Sequence, residues 1–116
     1  MVSEALRQVM LIAAGSGQLS GADVVTGAAE HPICGDVVEF DCRVQNGVFV
    51  EVAWRAEGCP ATMAVAAVAP QALVGHPVGE AARRLRSHID DLGGLASTEG
   101  HALAMSLRAV ARVVEA

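Results

Sequence analysis

No lysine occurs anywhere in the 116 residues; all eight basic side chains are arginines. A lysine Schiff base and a phosphate-loop lysine are thereby excluded. Tyrosine is also absent, and there are one tryptophan and two phenylalanines. Stacking of bases on aromatic platforms has nothing to build on. Thirteen acidic residues against eight basic give a formal charge of −5, which leaves little for a basic nucleic-acid face. No apolar run reaches the roughly 18–20 residues that span a bilayer. The opening MVSEALRQVM has an early acid and no basic segment ahead of an apolar stretch, so no secretory signal is expected. Three cysteines without an export signal point to the reducing cytoplasm. There, thiols serve as ligands, nucleophiles or core packing rather than disulfides. Arginine in the complete absence of lysine suits a GC-rich bacterial genome.

Hydrophobic residues make up 53% of the chain and charged residues 18%, a composition that folds rather than one that stays disordered. The length fits one domain over residues 1–116. Residues 3–14 suit a helix, with Ser3 as cap and Leu6, Val9, Met10 and Ile12 as its apolar positions. Residues 22–28 suit a short edge strand, and 29–36 a loop punctuated by Pro32 and Gly35. Val38, Phe40, Cys42 and Val44 alternate with Glu39, Asp41 and Arg43, the period of a half-buried strand. Gln45-Asn46-Gly47 carries a hairpin signal. Beyond it Val48, Val50, Val52 and Trp54 form the expected inward face of the returning strand.

Pro60 suits the first position of a helix running to about Val74, which Pro70 would kink or split. A second helix covers about 78–88. A glycine-containing loop at 91–100 leads to a last helix from about His101 to Val114. There Leu103, Leu107, Val110 and Val114 form the expected core stripe, and Arg108 and Arg112 face away. Strands segregated from helices predict an α+β fold: a small antiparallel sheet covered by helices on one face.

Four residues could carry chemistry. Cys34 lies in a loop beside Gly35, two residues from the carboxylate of Asp36. Cys59 directly precedes a helix start, where free N–H groups favour a thiolate. His101 opens the last helix. Two thiols, a carboxylate and an imidazole make a set for zinc or an iron–sulfur cluster. Each also has a plainer role. Free cysteine is commonly a small core hydrophobe, an aspartate beside glycine commonly caps a turn, and His101 on an ideal helix points away from the leucine stripe, toward solvent. Cys42 shares its strand face with Phe40 and Val44 and reads as core. His31, His76 and His88 read as surface residues, and Arg83, Arg84 and Arg86 as a solvated helix face.

GADVVTGAAEHPICGD, then a hairpin, then EGCPATMAVAAV resembles the IscU-type, NifU-N-terminal scaffold family of iron–sulfur cluster assembly. Pro32, Cys34, Gly35 and Asp36 match the family's N-P-x-C-G-D motif, with His31 in place of the asparagine. Gly58 and Cys59 match its G-C motif. The resemblance runs from about Gly17 to the C-terminus. It implies a three-stranded antiparallel sheet packed with helices, with Cys34, Asp36 and Cys59 as ligands. His101 matches the family's late histidine, and Ala102 stands where the third cysteine is expected. The substitution removes one soft, charge-donating ligand and excludes persulfide at that position. A cysteine desulfurase is the partner the resemblance implies.

Three functions compete. The first is a divergent scaffold or carrier, not an enzyme, that binds iron, a [2Fe-2S] cluster or zinc through Cys34, Asp36, Cys59 and His101. The second is a non-assembling interaction module of the same fold, a subunit or regulator. The third is a redox protein with Cys34 and Cys59 as a dithiol, which requires the two sulfurs within disulfide reach. The helix at 60–74 has only Thr62 and Gln71 as polar residues. A helix apolar all round is buried or docks a partner, so this segment is expected at a homo-oligomer interface or under another protein.

Overall fold

The computed structural model describes residues 2–115. Helix α1 (Glu4–Ile12) comes first, followed by strands β1 (Val24–Glu30), β2 (Val37–Gln45) and β3 (Val48–Glu57). Helices α2 (Pro60–Leu73), α3 (Ala81–Asp91) and α4 (Gly100–Val114) complete the chain, with short 3-10 turns before α3 and α4. The strands form one antiparallel sheet in the order β1-β2-β3. Its apolar face is covered by α2, over β3, and α4, over β1 and β2; α1 and α3 pack outside on α2. This is the expected α+β architecture. Among the described residues no helix is long and apolar enough to cross a membrane.

Ser3 caps α1 as its sequence position predicts. Its Oγ accepts from the Leu6 N–H and donates to the Leu92 carbonyl at 2.6 Å, so the cap also ties α1 to the end of α3. Leu6 is fully buried, whereas Ile12, expected to face inward, is exposed in the last turn. The loop after α1 is held to the sheet edge, where Trp54 Nε1 donates to the Ala14 carbonyl and Arg55 to that of Gly17.

The hairpin forms at Asn46-Gly47, both with positive φ. Val38, Phe40 and Cys42 are fully buried as expected. On β3 the expected inward set is corrected. Arg43 pairs with Glu51 but Val44 pairs with Phe49, so Val50 is an extra residue. This bulge reverses the alternation on its hairpin side. Phe49 enters the core, and Val50 is left 39% exposed. Val52 and Trp54, beyond the bulge, point inward as predicted.

Polar residues cover the other face of the sheet. Arg55 donates to both oxygens of Asp41 and to Glu39; Thr26 and the Leu19 N–H also donate to Asp41. Hydrogen bonds from Arg55 outweigh burial and hold the Asp41 pKa down at about 2.

Helix α2 is the core of the fold. Ten of its residues are buried, among them Val65, Val68 and Leu73, each contributing roughly 1.5–3 kcal/mol by burial. The chain's own β3, α1, α3 and α4 surround it. The expectation of a partner or second copy over this helix is therefore corrected: its apolar surface is satisfied internally. Pro70 does not split it: the helix runs unbroken to Leu73, and the ring, in the last turn, packs beside Gly15. Of the arginine run, Arg83 and Arg86 are exposed, while Arg84 is half-buried and donates to His76 Nε2 at 2.7 Å.

The α4 stripe is also corrected. Ala102, Met105, Ser106, Ala109, Val110 and Val113 are buried; Leu103 and Leu107 are only half-buried and Val114 is exposed. The cause is close backbone approach. A Cβ on Gly27 of β1 would lie 2.2 Å from the Ala109 carbonyl oxygen. Small residues must face the sheet there, and the leucines move to the flank. Gly27→Ala is accordingly expected to push α4 away and cost about 1–3 kcal/mol, a fall in melting temperature of roughly 5–10 °C by calorimetry; an unchanged melt would contradict this packing.

The Asp41 carboxylate gives a second expectation. Its folded pKa lies below the ordinary 3.8. Its contribution to stability is complete above that value and is lost as pH falls toward about 2. In denaturant melts, Asp41→Asn should show a shallower loss of stability across this acid range than the parent.

Candidate metal centre

Strand pairing brings the site together. Glu30 at the end of β1 pairs with Val37 at the start of β2, which pairs with Glu57 at the end of β3. The 31–36 loop and the Gly58-Cys59 entry to α2 thus meet at one end of the sheet. The loop closes on itself: His31 N–H donates to the Asp36 carbonyl, and Gly35 N–H to that of His31. Gly35 has φ +75°, the left-handed conformation that glycine adopts without strain.

Asp36 is nearly fully buried, at 6% exposure. Its Oδ2 accepts from the Cys59 N–H at 3.2 Å and from Thr62 Oγ1 at 2.8 Å. The carboxylate therefore caps the N-terminus of α2 across space, where anions are favoured. Gly58 makes this possible. Its φ is +138°, and a Cβ there would fall 2.2 Å from Asp36 Cγ. Burial pushes the Asp36 pKa up. Hydrogen bonds from Thr62, from the Cys59 thiol and N–H, and from the Cys34 thiol outweigh it and bring the value down to about 2. The carboxylate is thus ionised throughout the neutral range.

The Cys59 sulfur lies 3.3 Å from Thr62 Oγ1 and 3.4 Å from His101 Nε2. His101 Nε2 is 3.9 Å from Asp36 Oδ2. One ligand atom from each of Asp36, Cys59 and His101 lies within 4.8 Å of the others. Cys34 is exposed and lines the same open cavity of about 380 Å³, together with His31 and the other three. The donor set is one carboxylate oxygen, one or two sulfurs and an imidazole nitrogen, a mixture that suits zinc or iron.

Three of the four expected residues therefore converge closely, and the fourth borders the same cavity. His101 is not the exposed residue its helical phase suggests. The rotation of α4 that buries Met105 leaves the imidazole 31% exposed and aimed at Cys59. Ala102 is fully buried and is not among the residues that line the cavity. Cys42 is fully buried in the core, and burial pushes its thiol up to about 12.

Two site residues were missed from sequence. Thr62 stands three positions after Cys59, on the same helical face, and is one of two polar residues in an apolar helix. That pairing was a readable signal. His31, expected on the surface, lines the cavity with its ring centroid 5.6 Å from that of His101, edge to face at 75°.

Fold and site together define a class: a small α+β domain that presents an open oxygen, nitrogen and sulfur donor set at one end of its sheet. The chain belongs to the NifU-like N-terminal domain family, whose model matches residues 13–116. Two curated relatives, the iron–sulfur cluster assembly scaffold proteins IscU 1 and IscU 2 of Archaeoglobus fulgidus, are each 26% identical over 99 residues. That match covers 84% of this chain and 64% of each relative, so the chain spans under two thirds of their length. The N-terminal domain of a NifU-like protein from Brucella abortus shares the fold with a TM-score of 0.74 at 18% identity. It covers 97% of this chain and 90% of that one. A chain from Fervidobacterium islandicum gives 0.73 at 16% identity, covering 98% and 94%.

Thr62→Val removes the hydroxyl that donates to Asp36 while preserving shape. The Asp36 pKa should rise from about 2 toward 3.8, as followed by carboxyl-carbon NMR titration. An unmoved value would show that the N–H of Cys59 and the thiols hold the carboxylate without Thr62.

Proposed function

We propose that this protein is a platform for iron–sulfur cluster assembly that binds its cargo without catalysing a reaction on it. The cargo is iron, a [2Fe-2S] cluster or zinc, held by Asp36, Cys59 and His101 with Cys34 as the fourth ligand. The observation that carries this reading is the convergence of three ligand atoms within 4.8 Å at the mouth of an open cavity. Family membership and the likeness to the Archaeoglobus scaffolds support it.

The residues fit such cargo chemically. Thiolates donate charge to iron, and an ionised carboxylate needs no proton removed before it ligates. Thr62 and the Cys59 N–H orient Asp36 by donating to Oδ2, the oxygen 3.9 Å from His101 Nε2. The cavity is open, so cargo enters and leaves without a large rearrangement. Compared with a three-cysteine set, buried Ala102 leaves the centre one thiolate short. Nitrogen and oxygen make up the difference, which favours looser holding and release. Sulfur arriving from a cysteine desulfurase would have to meet Cys34 or Cys59.

The test is iron, zinc and acid-labile sulfide per chain on protein purified without oxygen and then reconstituted. Cys59→Ser should abolish binding, Cys34→Ser should weaken it by about ten-fold or more, and Cys42→Ser should leave it intact. Metal retained by Cys59→Ser would refute the ligand set. A parent protein that takes up neither metal after reconstitution would refute the platform itself.

A further inference from the structure

The remaining group on the cavity wall is His31, and its hydrogen bonds define its role. The backbone N–H groups of Ile33 and Cys34 both donate to His31 Nδ1, each at 3.3 Å. Nδ1 is therefore an acceptor and carries no proton. In a neutral imidazole the proton is then on Nε2. A histidine that ligated a metal through Nε2 would have to carry its proton on Nδ1, against two N–H donors. His31 is accordingly unsuited to ligation through Nε2. Its ring nevertheless lines the cavity with both thiols and stands edge to face with His101.

We propose that His31 is a positioning residue with two separable tasks. Its Nδ1 holds the turn that presents Cys34, and its Nε2–H donates a hydrogen bond to a metal-bound thiolate of the centre. This rests on the metal-platform reading and adds a donor that none of the four ligands supplies. A hydrogen bond to a coordinated sulfur stabilises its negative charge and lessens its donation to the metal. In a centre short of one thiolate, such a donor helps hold the two sulfurs that remain.

Cobalt(II) is the probe, because its thiolate charge-transfer absorption reports on the sulfur. His31→Asn retains a side-chain oxygen to accept from the Ile33 and Cys34 N–H groups but removes the ring donor. It should bind cobalt with unchanged stoichiometry, about ten-fold or more weakly, with the charge-transfer band moved to lower energy. His31→Ala, which loses both tasks, should bind more weakly still. Cobalt bound by His31→Asn with the parent's affinity and band overturns the proposal while leaving the platform standing. A parent protein that binds no cobalt overturns both.

Imidazole nitrogen NMR on the unmutated protein gives an independent readout that needs no variant to fold. His31 should show protonated Nε2 and unprotonated Nδ1 both before and after zinc is added. A switch to the Nδ1–H form on zinc binding would make His31 a ligand and overturn its assignment as donor.

Discussion

The buried carboxylate of Asp36 is the constraint around which the functional end of the molecule is arranged. A carboxylate at 6% exposure is costly unless its lone pairs are satisfied. Here the donors are the N–H of Cys59, the residue that precedes α2, and the Thr62 hydroxyl in the helix's first turn. That requirement brings the 31–36 loop onto the start of α2. Gly58 is needed because any side chain there would occupy the space of Asp36 itself. Cys59 is then placed by the same contact, since its N–H is one of the donors. The charge that caps the helix is also the charge that can hold a cation, so folding and binding draw on one group.

Behind this end the fold supplies rigidity. α2 is enclosed by sheet and helices and has almost no polar surface to satisfy. Its N-terminus is consequently a fixed point from which Cys59 and Thr62 project. α4 reaches the site from the other side, and its position depends on Gly27 letting the two backbones touch. With small residues against β1 and β2, the helix sits low on the sheet, and its first turn delivers His101 to Cys59. The polar face of the sheet, anchored by Arg55 and Asp41, keeps the three strand ends in register where the loops meet.

The donor set that results is mixed, with fewer sulfurs than a site built from three cysteines. In the proposed platform each oxygen or nitrogen ligand would give up some affinity for iron, while the open cavity permits exchange. Such a balance suits cargo that is held and passed on rather than kept. Hydrogen bonds around the proposed ligands then matter more: Thr62 donates to Asp36, and the donor proposed for His31 would join that outer layer.

Much of this was legible in the chain alone. Alternation over Val38–Val44, the Asn46-Gly47 turn, Ser3 ahead of α1 and Pro60 at the head of α2 are local signals. Each depends on residues within a few positions, so sequence determines them. The C-G-D and G-C motifs singled out Cys34, Asp36 and Cys59 for the same reason. Tertiary structure decided what depends on distant neighbours. The bulge at Val50 exchanged Phe49 for Val50 in the core, which no strict alternation foretells. The apolar helix proved to be the chain's own centre and not a docking face, because only the packed fold shows what covers it. The closeness allowed by Gly27 turned α4, so that alanines faced the sheet, leucines flanked it and His101 faced Cys59. His31 entered the site because the turn folds its ring over the cavity, although a lone histidine before a proline carries no sign of it.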